Sequence, residues 1–127
     1  MIVSVGVDLI EVGRIQRALE DPSIGKRFRE RVYTDGEIRY CDSRGMGKYE
    51  SYAGRFAAKE AAMKALGTGH SRGVYWTGIE VVRRHGPPRL AFHGGAAERF
   101  TAMGGTSSLL TLTHSRELAI AQVLLMK

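Results

Sequence analysis

The sequence predicts an α+β fold, with helices concentrated in the first half and packed on an antiparallel sheet formed by the second. Two patterns carry this expectation. Apolar residues recur at helical spacing through residues 11–20 and 48–66, whereas short apolar runs rich in β-branched residues, separated by turn residues, fill much of the stretch from 79 to 126. At 127 residues the chain is long enough for one modest core and short for two, so residues 1–127 are expected to form a single domain.

Residues 2–9 read as a buried strand ending near Asp8. Helical spacing then places Val12, Ile15 and Leu19 on one side, with Arg14 and Arg17 together on the opposite side. Asp21-Pro22-Ser23 ends that helix, and Ser23 is expected to cap a short basic one carrying Lys26, Arg27, Arg29 and Arg31. Thr34 with Glu37 has the spacing of a capping box that opens a helix through about Cys41. Residues 42–48, rich in Gly and Ser, predict a mobile loop. A long helix over 48–66 has Tyr52, Phe56, Met63 and Leu66 as its apolar stripe, with Gly67 as a left-handed stop. Beyond it come a strand over 79–83, a turn at Gly86-Pro87-Pro88, and a partner strand over 90–93. A short helix between Gly94 and Gly105 precedes two strands, 107–113 and 118–126, joined at His114-Ser115-Arg116.

Composition narrows the function. A hydrophobic share of 43% and a charged share of 25% are those of an ordinary soluble protein. No apolar run approaches the roughly 20 residues of a membrane span, and no signal peptide is apparent, so neither a membrane role nor export is expected. The one cysteine, Cys41, permits no internal disulfide and fits a reducing cytoplasm. It reads as a small helix residue or as a thiol nucleophile. The net charge of +6 implies acidic partners: nucleic acid, an acidic protein or a phosphate-rich small molecule. Exposed aromatics do not interleave with the basic residues, Tyr75 and Trp76 read as packing residues, and no nucleic-acid-binding motif is present, so nucleic acid is not the expected partner.

The candidate chemistry lies in Asp8, at the end of the first strand, and in the segment Arg55 to Gly69. Glu60 and Lys64 fall on one face of the long helix, which runs into Gly67-Thr68-Gly69. Two carboxylates, one from a strand end and one from a helix, suit a hard divalent cation. A nearby lysine and a Gly-rich turn suit the phosphates that accompany it. Each residue has a plainer reading. Asp8 would serve as a helix N-cap, Glu60 and Lys64 as a surface pair contributing about 0.2–0.5 kcal/mol, and His114-Ser115 as a hairpin tip. Neither a Walker loop nor a nucleophile elbow is present.

Three segments together resemble the holo-acyl-carrier-protein synthases, the small bacterial type of 4′-phosphopantetheinyl transferase: Gly6-Val-Asp-Leu-Ile-Glu-Val-Gly-Arg-Ile15, Arg55-Phe-Ala-Ala-Lys-Glu-Ala-Ala-Met-Lys-Ala-Leu-Gly-Thr-Gly69, and Leu112-Thr-His-Ser115 with Ala119-Ile-Ala-Gln-Val123. The resemblance implies Mg²⁺-dependent transfer of phosphopantetheine from coenzyme A to a serine of apo-acyl carrier protein, releasing adenosine 3′,5′-bisphosphate. It also implies a cytoplasmic homotrimer with sites between subunits, serving lipid synthesis through a fatty-acid carrier by default or, as the alternative, a secondary-metabolite carrier. In that reading Asp8 and Glu60 bind the metal, and Lys64 lies near the pyrophosphate. Gly67, Thr68 and Gly69 border the coenzyme, Arg55 and His114 surround its phosphorylated ribose, and Arg14 and Arg17 meet the acidic carrier. Mg²⁺-dependent hydrolysis of a coenzyme or nucleotide pyrophosphate is the alternative, since the same carboxylates could direct water. Residues 69–78 match the family only loosely, with Gly78 where an acidic residue is expected.

Overall fold

Both ends of the chain build the main sheet. In the computed structural model, which describes all 127 residues, β1 (Ile2–Glu11) leads directly into α1 (Val12–Glu20), followed by α2 (Gly25–Val32), α3 (Asp35–Asp42) and the long α4 (Lys48–Leu66). A hairpin of β2 (Ile79–Val82) and β3 (Arg89–Phe92), then α5 (Gly94–Ala102), lead to β4 (Ser107–His114) and β5 (Leu118–Met126). The strands form two antiparallel sheets, one with order β1-β5-β4 and one of β2 and β3 alone. The α+β class is therefore as predicted, but the main sheet is not confined to the second half of the chain. β1 pairs with β5 along nearly its whole length, and the Met1 ammonium donates to the Lys127 carbonyl at 2.7 Å.

Strand alternation sorts the main sheet into an inner and an outer face. Gly6 and Ile10 of β1, Ala119, Ala121, Val123 and Leu125 of β5, and Leu110 of β4 are buried beneath α4. On the other face Val5, Val7, Leu9 and Leu109 are each at least 50% exposed. Hydrophobic side chains on an uncovered face are an association surface in waiting.

The long helix differs from its predicted form. It is enclosed on most sides rather than amphipathic, because Ala53, Ala57, Ala58, Ala61, Ala62 and Ala65 make it slim enough to touch the sheet, α1, α3 and β2 together. The closest approach is at Gly6, where a methyl group would overlap the Ala61 carbonyl. Gly67 stops the helix with φ +74°, and Arg99 Nε donates to the Leu66 carbonyl at 2.8 Å.

Two predicted caps are replaced. Asp8 lies inside β1, and α1 begins after Glu11 with no side-chain cap. Ser23 does not cap α2; Asp21 Oδ1 instead accepts from the Ser23 and Ile24 amides at 2.7 and 3.1 Å. The Thr34–Glu37 capping box forms as expected. Residues 42–48 hold a 3-10 turn at Gly45–Gly47.

Glu37 also reaches into the core. Its carboxylate meets Lys59 Nζ at 2.8 Å, with both side chains wholly buried, and accepts from the Val81 amide at 2.7 Å. Lys59 donates further to the carbonyls of Ile79 (2.6 Å) and Trp76 (3.0 Å), so all three of its N–H bonds are used. Burial pulls the Lys59 pKa below its ordinary value, with Glu37 opposing that shift. This clasp ties α3, α4 and β2 together. We expect Lys59→Met to lower stability in urea unfolding by about 3–5 kcal/mol, because it strands a buried carboxylate. Combining it with Glu37→Gln should cost less than the sum of the two single changes.

Candidate active site

The approach of β1 to α4 creates the first functional cluster. Asp8 lies two residues beyond Gly6 and so on the same inner face, where Lys64 Nζ meets Asp8 Oδ1 at 3.0 Å and the Val7 carbonyl at 3.1 Å. The lysine therefore pairs across elements with the strand carboxylate, not along its own helix with Glu60. Glu60 stands one turn earlier on α4, with Oε1 3.7 Å from His70 Nε2. Both carboxylates keep some solvent access, at 15% for Asp8 and 28% for Glu60.

The Gly67-Thr68-Gly69 turn follows Lys64 along the chain, at the C-terminal end of a helix. That end carries partial negative charge and disfavours an anion. Attraction for phosphate must come from Lys64 and from any cation the carboxylates hold. Thr68 is largely buried and its hydroxyl donates to the Gly69 carbonyl at 3.1 Å, so it shapes the turn.

A second, basic cluster lies elsewhere on α4. Arg55 is 5% exposed, its guanidinium stacks 4.0 Å above the Tyr40 ring, and its Nε has no partner. It lines a cleft of about 170 Å³ with Arg44, Arg83, Glu50 and His114. Four cationic or imidazole groups against one carboxylate, with a buried N–H left unpaired, describe an anion subsite. Arg55 and Lys64 are nine residues apart, which is a rise of about 13 Å and about half a turn around the helix. Within one protomer the two clusters therefore face different directions. A wider concavity, about 690 Å³ between β3, α5 and β4, has Arg89 as its only charged lining residue.

Arg14 and Arg17 lie exposed on the outer side of α1, whose Val12 and Ile15 are buried. That helix starts four residues after Asp8. Cys41 is fully buried, and burial pushes its thiol up to about 12, which disfavours a thiolate nucleophile at neutral pH. Tyr75, predicted to pack, is instead 71% exposed, whereas Trp76 stacks on Phe56.

Lys59, His70, Tyr40, Arg44 and Arg83 enter only with the structure. Lys59 had a visible signal, since it falls on the stripe Tyr52, Phe56, Met63 and Leu66 at helical spacing. The others are brought to their sites by tertiary folding and had none.

The chain matches the family described as the 4′-phosphopantetheinyl transferase superfamily over residues 4–122. It is 49% identical to the holo-[acyl-carrier-protein] synthase of Solibacter usitatus, over 98% of each chain. Among solved structures, the holo-[acyl-carrier-protein] synthase of Neisseria meningitidis superposes with a TM-score of 0.88 at 27% identity, with full coverage of both chains. The holo-(acyl-carrier-protein) synthase from Bacillus anthracis, solved in complex with CoA (3′,5′-ADP), superposes with a TM-score of 0.78 at 37% identity, covering 98% of this chain and 96% of that one. None of these relatives is a pyrophosphate hydrolase, so that alternative gains no support. Agreement of this extent, over the whole length and in both sequence and fold, shows that the chain belongs to the 4′-phosphopantetheinyl transferase superfamily, in its holo-acyl-carrier-protein synthase branch.

Proposed function

We propose that residues 1–127 act as one transferase domain that moves 4′-phosphopantetheine from coenzyme A to a serine of an apo-acyl carrier protein. The observation that carries this reading is the pairing of Lys64 with Asp8 where β1 crosses α4, with Glu60 one helical turn before Lys64. The serine oxygen forms a bond to the pantetheine phosphorus while the bond from that phosphorus to the bridging pyrophosphate oxygen breaks. Adenosine 3′,5′-bisphosphate leaves with the electron pair.

Asp8 and Glu60 would hold Mg²⁺. The fit is chemical: both are oxygen donors that keep partial solvent access. Two carboxylates suit a cation that retains waters and takes its remaining ligands from substrate phosphates. When bound, Mg²⁺ supplies positive charge to the pyrophosphate as negative charge builds on the leaving group. Lys64, 55% exposed, is long enough to turn from Asp8 toward the same phosphate oxygens. Glu60, or a water that it holds, accepts the seryl proton. Arg55 and His114, with Arg44 and Arg83, supply the anion subsite for the phosphorylated ribose.

Arg14 and Arg17 would receive the acidic carrier, bringing its serine to the adjacent carboxylates. The uncovered sheet face bearing Val5, Val7, Leu9 and Leu109 fits contact between copies in a homotrimer. Such an arrangement would let the basic cleft of one copy serve the carboxylate cluster of its neighbour. No helix is long and apolar enough to cross a membrane, and we place the reaction in the cytoplasm, in lipid synthesis.

Incubation of apo-carrier with this protein, coenzyme A and Mg²⁺ should add one phosphopantetheine mass by intact-mass spectrometry, and EDTA should abolish the gain. Glu60→Ala should lower transfer by roughly 10²-fold or more with an unchanged circular dichroism spectrum; near-normal turnover would remove Glu60 from the site. For Arg14→Glu, the KM for the carrier should rise about tenfold, and that for coenzyme A much less. Equal rises in both would count against docking on α1. Leu9→Glu should shift the sedimenting species toward monomer and depress activity with it; an unchanged sedimentation coefficient would refute the sheet-face interface.

A further inference from the structure

His70 has no role in the chemistry described so far, yet it lies beside Glu60. It belongs to the stretch 69–78, which matches the family only loosely. Its Nε2 stands 3.7 Å from Glu60 Oε1, just beyond direct hydrogen-bond length and within reach of a small side-chain rotation or one bridging water. The ring is not free to wander. It lies against Trp76 with centroids 4.2 Å apart, and Trp76 stacks at 4.9 Å on Phe56.

Trp76 is fixed in turn from α4. Its carbonyl accepts from Lys59 Nζ, the buried cation clasped by Glu37. Phe56, Lys59 and Glu60, at i, i+3 and i+4, are neighbours on one face of that helix, so the chain of contacts is closed. Phe56 and Lys59 hold Trp76, Trp76 backs His70, and His70 returns to Glu60. The glycines on either side of the loop, Gly69 and Gly73, adopt positive φ values of 55° and 76°, which lets so short a segment fold back over the helix.

We propose that His70 is a positioning residue for Glu60: backed by Trp76, its Nε2–H holds carboxylate oxygen Oε1 and leaves Oε2 directed to a divalent cation. This rests on the reading of Glu60 as a metal-binding carboxylate. A carboxylate on a flexible side chain loses rotamer freedom when it binds an ion, and a partner that orients it beforehand removes part of that cost. The imidazole is the orienting group and not itself a ligand, since Mg²⁺ selects oxygen donors.

The test is binding of Mn²⁺, a paramagnetic stand-in for Mg²⁺, to the full chain with coenzyme A present, read from the paramagnetic resonance signal of the free ion. His70→Ala should raise the Mn²⁺ dissociation constant about tenfold. The metal concentration for half-maximal transfer should rise by a similar factor, with kcat at saturating metal within about threefold of the parent. His70→Gln, which keeps an N–H donor, should recover most of the affinity. Unchanged Mn²⁺ affinity in His70→Ala, with affinity lost in Glu60→Ala, would overturn the role of His70 alone. Unchanged affinity in Glu60→Ala as well would overturn the metal reading beneath it. A nitrogen coupling from the imidazole on bound Mn²⁺ would make His70 a ligand and refute positioning. Equal loss of affinity and thermal stability in the Ala and Gln variants would reduce it to packing.

Discussion

The contact of Gly6 with Ala61 governs the rest of the molecule. A strand and a helix normally stand apart by the thickness of two side chains, but here one side chain is absent and the opposing one is a methyl group. The strand backbone can then lie against the helix backbone at Ala61 and Ala65. Asp8 is set two positions along on the same face, within 3.0 Å of Lys64. Interior packing of this density leaves no room to relax around an added methyl group. The geometry of the proposed site and the core therefore rest on the same small residues.

Charge is arranged around this contact by depth. Lys59 and Glu37 are sealed in the core, where each has its hydrogen bonds satisfied and neither can meet a substrate. Five residues beyond Lys59, Lys64 reaches solvent at the C-terminal end of the same helix, a position where a cation is favoured by the exposed carbonyls. One lysine thus fixes where the helix sits and the other presents mobile positive charge at its end. Sequence spacing alone does not distinguish them. The difference comes from which side of α4 faces β2 and which faces the mouth of β1.

Local signals survived folding well. The capping box at Thr34, the stop at Gly67 and the limits of the long helix depend on residues within a few positions of each other, and these are as predicted. The failures are long-range. Pairing of β1 with β5 joins opposite ends of the chain, and nothing in either strand announces it. Asp8 resembled a cap because Asp commonly is one; only the register of β1 against α4 gives it a lysine partner instead. For the candidate site, the segments that carry Asp8, Glu60 and Lys64 were legible as a group through resemblance, whereas Arg44, Arg83 and His70 come from loops whose sequence has no period to read.

The two clusters on α4 bear on how a site could be completed. A single rigid helix carries both Arg55 and Lys64, so their separation of about 13 Å and half a turn is fixed by helix geometry and cannot be closed by side-chain motion. An anion subsite that opens away from the carboxylates is of little use to them in the same protomer. It becomes useful if a second copy presents its own cleft, and the face that would bring copies together is already apolar and uncovered beneath the strands that carry Asp8 and His114. In the proposed assembly, association is then a condition for catalysis more than an aid to stability. A charge placed on that outer face should act on turnover through the partner's cleft, without touching any residue of the carboxylate cluster itself.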